Sequence, residues 1–478
     1  MPQAQVASSH YEPDGPGDSP KYLINAYPEE NGADPNRPVK LVVRPGSLDR
    51  DTGDVLAANT IRGIAQTDGH ASGHVLVVNG GTVRSYDPTG VSWSTLTGSL
   101  AGTDRVQAAF SESEGAFLSG GDIYVSTGSA VAAATDADWA TLRADHGETD
   151  FTSITSLSQR LIATYGSRFG YSASLDFNNT TTLNFYTAES SPDGLVAAVT
   201  LGASLYLFGT ETIERWVQTG DNDNPFRPQT SAVIQRGALA RDTIKLLDNT
   251  LFFVADDYTV RRIAGQVAQI VSEPWVVREL RKETPSDLIA SVMEYENHSF
   301  YILNGLNVCA VYDVATGSWA LWKTYGSETF EYPYIVEASG DLFAASRSTS
   351  RFVELSRSYA SDYQPYAGTY STPIVWEHTA HLPVMGGRKP IASIRHEGTT
   401  GLGSAANNAA DNIVSMRLSK DGGRNWGPWR DRSAGKIGEY DKRLIWNQNG
   451  RAREPQIIAH FRGNDNRQTT GVMVGEDR

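Results

Sequence analysis

The sequence predicts an all-β protein: a β-propeller of about six or seven blades, an additional C-terminal β domain and an extended N-terminal arm. Its composition is typical of a turn-dense chain, with 45 glycines, 10% aromatic residues and only 20% charged residues. A short apolar strand, a turn and a second strand recur seven times, with starts about 38 to 49 residues apart. A period in the forties with several strands per unit is typical of propeller blades.

Residues 1–60 are predicted to form the N-terminal arm and an extended segment. Residues 1–20 are rich in Pro, Gly, Asp and Ser, and we expect them to be flexible unless a partner orders them. They have neither the basic region nor the apolar core of a secretory signal, which predicts synthesis in a cytoplasm. Further along, Pro45-Gly46 follows an apolar run and predicts a strand that ends in a tight turn.

Residues 61–369 are predicted to form the propeller. We take the first strand of each unit to be one of the following: His74–Val78, Asp122–Val125, Arg160–Ala163, Ser204–Phe208, Thr250–Val254, Ser299–Leu303 and Asp341–Ala344. Arg84–Trp93 and Val311–Trp319 share the Tyr-Asp…Thr-Gly…Trp form of kelch-like blades. A β-sandwich with accidental spacing is the alternative.

Two local features interrupt this pattern. Ser272–Lys282 has apolar spacing compatible with a short helix, with Pro274 in its first turn. Cys309 is the single cysteine, so no intrachain disulfide can form, and its apolar surroundings predict a small buried side chain.

Residues 370–478 are predicted to form the C-terminal β domain, with strands at Ile413–Leu418, Arg443–Trp446 and Gln456–Phe461. Residues 397–412 are almost without apolar side chains and predict a long loop. Between Arg417 and Arg462 there are 11 basic and five acidic residues, so this region is positive in an otherwise acidic chain.

Charge excludes some functions. The net charge of −14 argues against a protein that holds duplex DNA through a basic face. No apolar run approaches the roughly 20 residues of a membrane-spanning helix, so no membrane insertion is expected. The 32 arginines against nine lysines indicate ion-paired contacts between subunits.

Motifs for chemistry are weak. Ser419–Trp426 fits the Asp-box pattern, which predicts a hairpin turn stabilised by the Asp side chain rather than a glycosidase. Glu377, His378 and His381 offer two imidazoles three residues apart, which we interpret as a solvated loop and not a metal site. No nucleophile elbow or dinucleotide motif is present, so we predict no catalytic, cofactor-binding or metal-binding residues and no cofactor.

Three tryptophans, Trp426, Trp429 and Trp446, lie in the basic C-terminal region. Basic and aromatic residues together suit stacking on single-stranded nucleic acid or on sugars. The favoured interpretation is core tryptophans of hairpins beside an arginine-rich subunit interface.

Seven segments together resemble the tail accessory family of short-tailed phages, also called packaged-DNA stabilisation or tail hub (nozzle) proteins. The matching segments are Ile24–Glu29, Val43–Gly46, Ile61–Gly63, Ala188–Leu195, Gly209–Trp216, Ile234–Gly237 and Glu439–Trp446. Their order and spacing cover most of the chain. The acidic N-terminal arm and the loop at 397–412 depart from the family pattern.

The resemblance implies a structural, non-enzymatic virion protein of the tail, assembled in the host cytoplasm. It implies a homo-hexameric ring below the portal–adaptor complex that retains packaged DNA and forms part of the ejection channel. Tailspikes or tail fibres and a tail needle or tip would be its other partners, and DNA would pass without specific binding. The motif residues with structural or interface roles would be Pro45, Gly46, Pro192, Asp193, Gly194, Tyr440, Asp441, Lys442, Arg443 and Trp446.

In the last motif, alternation places Tyr440, Lys442, Leu444 and Trp446 on one face of a strand, with Arg443 reaching outward to Asp441 or to a neighbouring chain. The alternative function is a propeller glycosidase or polysaccharide-binding module. It predicts a pocket at the propeller axis with convergent carboxylates or an arginine cluster.

Overall fold

Seven groups of four antiparallel strands form the blades in a computed structural model. Six are separate sheets, and the group between Ile289 and Leu321 continues through Leu23–Ile24 into a sheet of the C-terminal domain. The structure describes residues 3–13, 19–32, 38–51, 55–56, 59–67, 74–188, 193–221, 224–359, 361–363, 372–382, 388–402, 412–453, 457–464 and 468–475. Within these residues no helix is long and apolar enough to cross a membrane.

The N-terminal segment and the seven blades account for the first 32 strands. The N-terminal strands are β1 (Gln3–Val6), β2 (Leu23–Ile24), β3 (Ala26–Glu30), β4 (Val39–Val43) and β5 (Gly46–Asp49). Blades one to three are β6 (Ile61–Gln66), β7 (Val75–Asn79), β8 (Thr82–Asp87), β9 (Ser92–Thr95); β10 (Gln107–Phe110), β11 (Gly115–Ser119), β12 (Asp122–Ser126), β13 (Val131–Ala133); and β14 (Ser153–Leu157), β15 (Arg160–Tyr165), β16 (Arg168–Tyr171), β17 (Phe185–Thr187). Blades four to seven are β18 (Leu195–Leu201), β19 (Ser204–Gly209), β20 (Ile213–Gln218), β21 (Phe226–Pro228); β22 (Lys245–Leu247), β23 (Thr250–Val254), β24 (Val260–Ala264), β25 (Val267–Ile270); β26 (Ile289–Tyr295), β27 (His298–Asn304), β28 (Cys309–Asp313), β29 (Ser318–Leu321); and β30 (Tyr334–Ala338), β31 (Asp341–Ala345), β32 (Phe352–Ser356) with β5.

The kelch-like hairpins lie on the third and fourth strands of blades one and six. Tyr86 packs on Trp93 with ring centroids 4.9 Å apart, and Tyr312 packs on Trp319 at 5.1 Å. Asp313 accepts the backbone N–H two residues later, at 3.0 Å, which fixes the turn. The repeat therefore predicted real blades, but the position of its strands within each blade was wrong. Six of the seven segments that we took as first strands are second strands, and Asp122–Val125 is a third strand. First strands such as Gln107–Phe110 and Ser153–Leu157 are short or partly polar, so the search for apolar runs did not find them.

The last blade is closed by an N-terminal strand. β5 pairs antiparallel with β32, in a register that places Ser47 opposite Leu355. The strand assigned from sequence to the N-terminal segment is therefore the fourth strand of blade seven. Closure by a distant strand joins the two ends of the blade series, so that the propeller cannot open without breaking this ladder.

Two helices fill spaces between blades. α1 (Ala137–Ala144) lies between blades two and three, and α2 (Pro274–Leu280) between blades five and six. α2 begins at Pro274 as predicted, and it buries Trp275. Short 3₁₀ turns occur at Thr230–Ala232, Arg241–Thr243 and Pro285–Asp287. Cys309 is fully buried as predicted, and burial raises the pKa of its thiol to about 12.

The C-terminal strands form a β-sandwich. They are β33 (Ser361–Tyr363), β34 (Thr372–Pro373), β35 (Trp376–His381), β36 (Arg388–Pro390), β37 (Ser393–Gly398), β38 (Asn412–Ser419), β39 (Arg430–Gly435), β40 (Leu444–Asn447), β41 (Arg451–Arg453), β42 (Ile458–Gly463) and β43 (Gln468–Gly475). One sheet has the order β2-β35-β42-β38-β39 and the other β3-β4-β43-β37-β40. Trp376, Trp446 and Phe461 fill the core between them. Of the predicted loop, residues 397–398 belong to β37, and residues 403–411 lie outside the described residues.

The prediction that the N-terminal arm is flexible was wrong for its described residues, because they form backbone hydrogen bonds with both domains. β1 pairs with β35 through one half and with β43 through the other, so it links the two sandwich sheets. β2 pairs with β35 and, in parallel, with β29 of blade six. His10 is fully buried, with its ring 4.7 Å from that of Trp275. These partners lie hundreds of residues away, so composition alone could not reveal them.

A buried polar network, which we call the joint, lies where the N-terminal segment, the propeller and the sandwich meet. Asn25 Oδ1 accepts Arg44 Nε and the Lys323 backbone N–H, both at 2.8 Å. Asn25 Nδ2 donates to the Val375 carbonyl at 2.7 Å. Arg44 is 1% exposed and forms an ion pair with the fully buried side chain of Asp362. Each charge is thus neutralised inside the protein, which makes its burial tolerable.

Arg44→Ala should destabilise the chain by about 3–5 kcal/mol, because it leaves the buried Asp362 carboxylate without its cation. Replacing both residues, as in Arg44→Met with Asp362→Leu, should cost less than Arg44→Ala alone, since no buried charge remains. Urea unfolding monitored by tryptophan fluorescence measures both changes.

Arg236→Ala is the matched control, because Arg236 is 42% exposed in its ion pair with Asp256. Such an exposed pair contributes about 0–1 kcal/mol. Equal losses for Arg44→Ala and Arg236→Ala would show that the joint is not a structural requirement.

Candidate functional site

The Val-Arg-Pro-Gly motif lies inside the joint. The Pro45 carbonyl accepts Arg44 Nη1 at 3.1 Å. A Cβ on Gly46 would lie only 2.1 Å from the Tyr359 carbonyl oxygen, so only glycine lets β5 begin under this segment. Pro45 and Gly46 therefore connect a sandwich strand to a propeller strand, and the predicted tight turn was wrong. Pro192 lies outside the described residues.

Two of the family motifs meet at one turn in blade four. Asp193 Oδ2 accepts the backbone N–H groups of Glu211 at 2.8 Å and Thr212 at 3.0 Å. The Gly194 carbonyl accepts the Thr210 N–H at 3.1 Å. Asp193 and Gly194 thus fix the β19–β20 turn through contacts with polar backbone groups.

The Tyr440–Trp446 segment is a strand only in its second half. Leu444 and Trp446 are buried in the sandwich core, as alternation predicted, but β40 begins at Leu444. Tyr440 is 69% exposed in a turn, so the predicted alternation was wrong for the first residues. The chain must reverse after β39, and Gly435 and Gly438, both with φ near +93°, make that turn.

Asp441, Lys442 and Arg443 complete this turn, and all three are exposed. Lys442 Nζ lies 3.1 Å from Glu439 Oε2 within the same turn. In the described part of the chain, Arg443 forms no ion pair, so the predicted partner Asp441 does not hold it. With Ile437, which is 53% exposed, these residues make a basic and apolar projection from the sandwich that we call the 436–443 turn.

The Asp-box segment forms the predicted turn. Asp421 Oδ1 accepts the backbone N–H of Asn425 at 2.9 Å, and Ser419 Oγ accepts that of Gly423 at 2.8 Å. Gly423 has φ +91°, as this turn requires. The hydrogen bonds from Asn425 lower the pKa of Asp421, so the carboxylate stays ionised in its structural role.

Two half-buried tryptophans and two arginines stack beside this turn, and we call these four residues the arginine–tryptophan cluster. The Arg417 guanidinium lies 4.7 Å from the Trp426 ring and 4.6 Å from the Trp429 ring. Arg462 lies 4.2 Å from the Trp429 ring. The interpretation as core tryptophans therefore holds for Trp446, while Trp426 and Trp429 reach the surface. Their pairing with arginine depends on the β38–β42 register, which sequence could not give.

His460 joins this cluster to Glu377. Its Nδ1 accepts Arg417 Nε at 3.0 Å, so its proton is on Nε2, which lies 2.8 Å from Glu377 Oε2. Burial lowers the pKa of His460, and neutral imidazole suits this arrangement. Burial alone would raise the pKa of Glu377, but the His460 hydrogen bond and the nearby positive charges lower it overall.

The two histidines of the Glu377–His381 segment lie in a strand of the sandwich. His378 lies in a buried strand rather than the predicted solvated loop, and its Nε2 is 3.0 Å from that of His396. His381 lies farther along the same strand. No group of three or more potential metal ligands occurs among the described residues.

The propeller axis contains a cavity of about 230 Å³, lined by the first strands of six blades. This is below the roughly 300–1,000 Å³ of typical ligand pockets. Arg105 and Arg241 both contact Asp242, at 2.8 Å and 3.1 Å. Arg105 also donates to the Leu288 carbonyl and Arg241 to the Thr152 carbonyl, so both guanidiniums brace neighbouring blades.

Family models match both domains. The model for the β-propeller of bacteriophage P22 Gp10 matches residues 38–338. The model for the β-sandwich of bacteriophage P22 Gp10 matches residues 377–471. The matches follow the two folds that the structure shows.

Comparison with curated proteins finds no match. Among solved structures, the chain is similar to the extracellular domain of BT4673 from B. thetaiotaomicron, described as a one-component system protein, with 10% identity and a TM-score of 0.43. The similarity covers 91% of this chain and 62% of that one.

The protein should lose stability as the pH falls below about 6.5. The pKa values of His460 and Glu377 are both lowered in the folded state, so the stability that each contributes is present above its unfolded pKa and is lost on acidification. The His460 contribution falls below its unfolded pKa of about 6.5, and the Glu377 contribution falls only below about 4.3. Urea unfolding at several pH values measures the slope.

His460→Gln should reduce this slope by up to about 1.4 kcal/mol per pH unit, since one titrating group is removed. Trp429→Phe is the control: it perturbs the same cluster without removing a titratable group, so the slope should stay. An unchanged slope in His460→Gln would contradict the protonation assignment.

Proposed function

The chain belongs to the family of bacteriophage P22 Gp10, and on this basis we propose that it forms a homo-hexameric tail ring below the portal–adaptor complex. The ring retains packaged DNA after packaging and forms part of the ejection channel. It carries tailspikes or tail fibres and leads to a tail needle or tip. The family role is that of a structural phage protein, and this protein belongs to the virion.

The observation that carries the proposal is the paired family match over a propeller and a sandwich that are held together by the joint. A part of a tail ring bears load during packaging and ejection, so its domains must not move apart. β2 pairs with a strand of each domain, and Arg44 and Asp362 neutralise each other between them. This construction suits a rigid spacer between ring and spike.

The negative net charge supports a channel through which DNA passes without being bound. The net charge of −14 disfavours phosphate binding along most of the surface. The positive region of the sandwich uses two of its arginines, Arg417 and Arg462, in stacking on tryptophans. We therefore assign that region to contacts between proteins.

We propose that the 436–443 turn is a surface through which this chain contacts a neighbouring chain. Tyr440 and Ile437 are exposed apolar side chains, and Arg443 is an exposed cation beside them. Tyrosine and arginine are enriched at the centres of interfaces. Thr400 Oγ1 donates to the Tyr440 carbonyl at 2.7 Å, which holds the turn in place for docking.

The glycosidase alternative predicts convergent carboxylates or an arginine cluster at the propeller axis, and two arginines do line the axial cavity. However, Asp242 and backbone carbonyls from neighbouring blades occupy these guanidiniums, and the cavity is smaller than ordinary ligand pockets. The axis therefore supports a packing role more than a substrate carboxylate site.

Mixing the purified chain with a portal–adaptor complex should give a six-fold ring, visible by mass photometry and cryo-EM. Each seam should bury more than about 2,000 Å², as in obligate assemblies. A chain that stays monomeric in the presence of this template would contradict the proposal.

Arg443→Ala should leave the fold intact, with a stability change within about 0.5 kcal/mol, but weaken assembly. Lys420→Ala is the control, an exposed cation outside the turn, and should assemble like the parent. Trp446→Ala should instead cost about 3–5 kcal/mol by opening the core. If Arg443→Ala assembled like the parent, the 436–443 turn and β40 would have only a structural role.

Purified protein should not cleave sialosides or bacterial polysaccharides, because we assign the axial arginines to packing. Reducing-sugar and sialic acid release assays measure this. Cleavage that a single carboxylate substitution abolishes would restore the glycosidase alternative.

A further inference from the structure

The axial cavity carries more positive than negative charge. Its ionisable lining includes the cations of Arg105, Arg241 and Lys245 and the single acidic side chain of Asp242. This excess lies inside a chain whose net charge is −14.

Asp242 already forms ion pairs with two arginines. One carboxylate oxygen lies 2.8 Å from Arg105 Nη1 and the other 3.1 Å from Arg241 Nε. Among the described residues, the Lys245 ammonium has no hydrogen-bond or ion-pair partner, although Lys245 lines the same cavity. Burial lowers the pKa of Lys245, with a smaller opposing effect of Asp242. A bound anion would stabilise the charged form of this half-buried side chain.

Two uncharged donors face the same space. Ser291 is 4% exposed, and its hydroxyl has no hydrogen-bond partner among the residues that the structure describes, which is rare for a buried polar atom. Gln107 Oε1 accepts the Ile154 N–H at 3.0 Å, which orients the amide so that its NH₂ group is the remaining donor. Both residues line the cavity on first strands of different blades.

We propose that the axial cavity binds one small oxyanion of the phosphate or sulfate type, held by Lys245, Ser291 and Gln107. The ammonium supplies the charge, and the hydroxyl and amide supply hydrogen-bond donors that no described residue accepts. Since the donors come from three blades, the bound anion would link the first strands across the axis. This inference is independent of the proposed tail function.

Isothermal titration of the full chain with sodium sulfate and with sodium phosphate, at constant ionic strength set by sodium chloride, tests the proposal. The parent should bind one anion per chain, and the anion should raise the melting temperature. Lys245→Met should weaken binding about tenfold or more, because a charged hydrogen bond is lost. Lys420→Met, which removes an exposed lysine on the sandwich, should bind like the parent.

Crystals soaked in sodium selenate should show an anomalous peak in the axial cavity within hydrogen-bond distance of Lys245 Nζ. Ser291→Ala serves as a second variant, with several-fold weaker binding expected, should Lys245→Met fail to fold. Absence of binding to the parent would overturn the proposal. Binding that neither Lys245→Met nor Ser291→Ala weakens, or a peak only outside the cavity, would also overturn it.

Discussion

The buried contact of Arg44 with Asp362 and Asn25 is the constraint on which the architecture depends. A guanidinium that is 1% exposed can be buried only if it is neutralised and its N–H groups are bonded. Its acceptors come from three separate parts of the chain: Asn25, Lys323 and Asp362. Satisfying this one side chain therefore fixes the N-terminal segment, the end of blade six and the start of the sandwich together.

The N-terminal segment joins the propeller and the sandwich into one unit. β1 and β4 extend the sandwich sheets, and β5 completes blade seven of the propeller. A chain that only connected consecutive domains would leave a hinge at their boundary. Here β2 crosses the domain boundary and pairs with a strand on each side, which removes that hinge.

Local features of the sequence predicted the blades and not their assembly. Tyr312, Asp313 and Trp319 form one hairpin, so short-range pattern was enough to find it. The pairing of Gln5 with His381 joins residues that are far apart in the chain, and the composition of the N-terminal segment does not specify it. The Tyr440 prediction was wrong for another reason: alternation assumes an uninterrupted strand, and Gly438 turns the chain before β40 begins. For the arginine–tryptophan cluster, the residue types were evident, but the strand register that stacks them was not.

Differential scanning calorimetry of the intact chain tests most directly whether the propeller and the sandwich are one cooperative unit. We expect one transition, with the calorimetric enthalpy equal to the van't Hoff enthalpy, since neither domain keeps its own closing strands once the other unfolds. Two resolved transitions, with the sandwich unfolding while the propeller stays folded, would show that the domains are separate units.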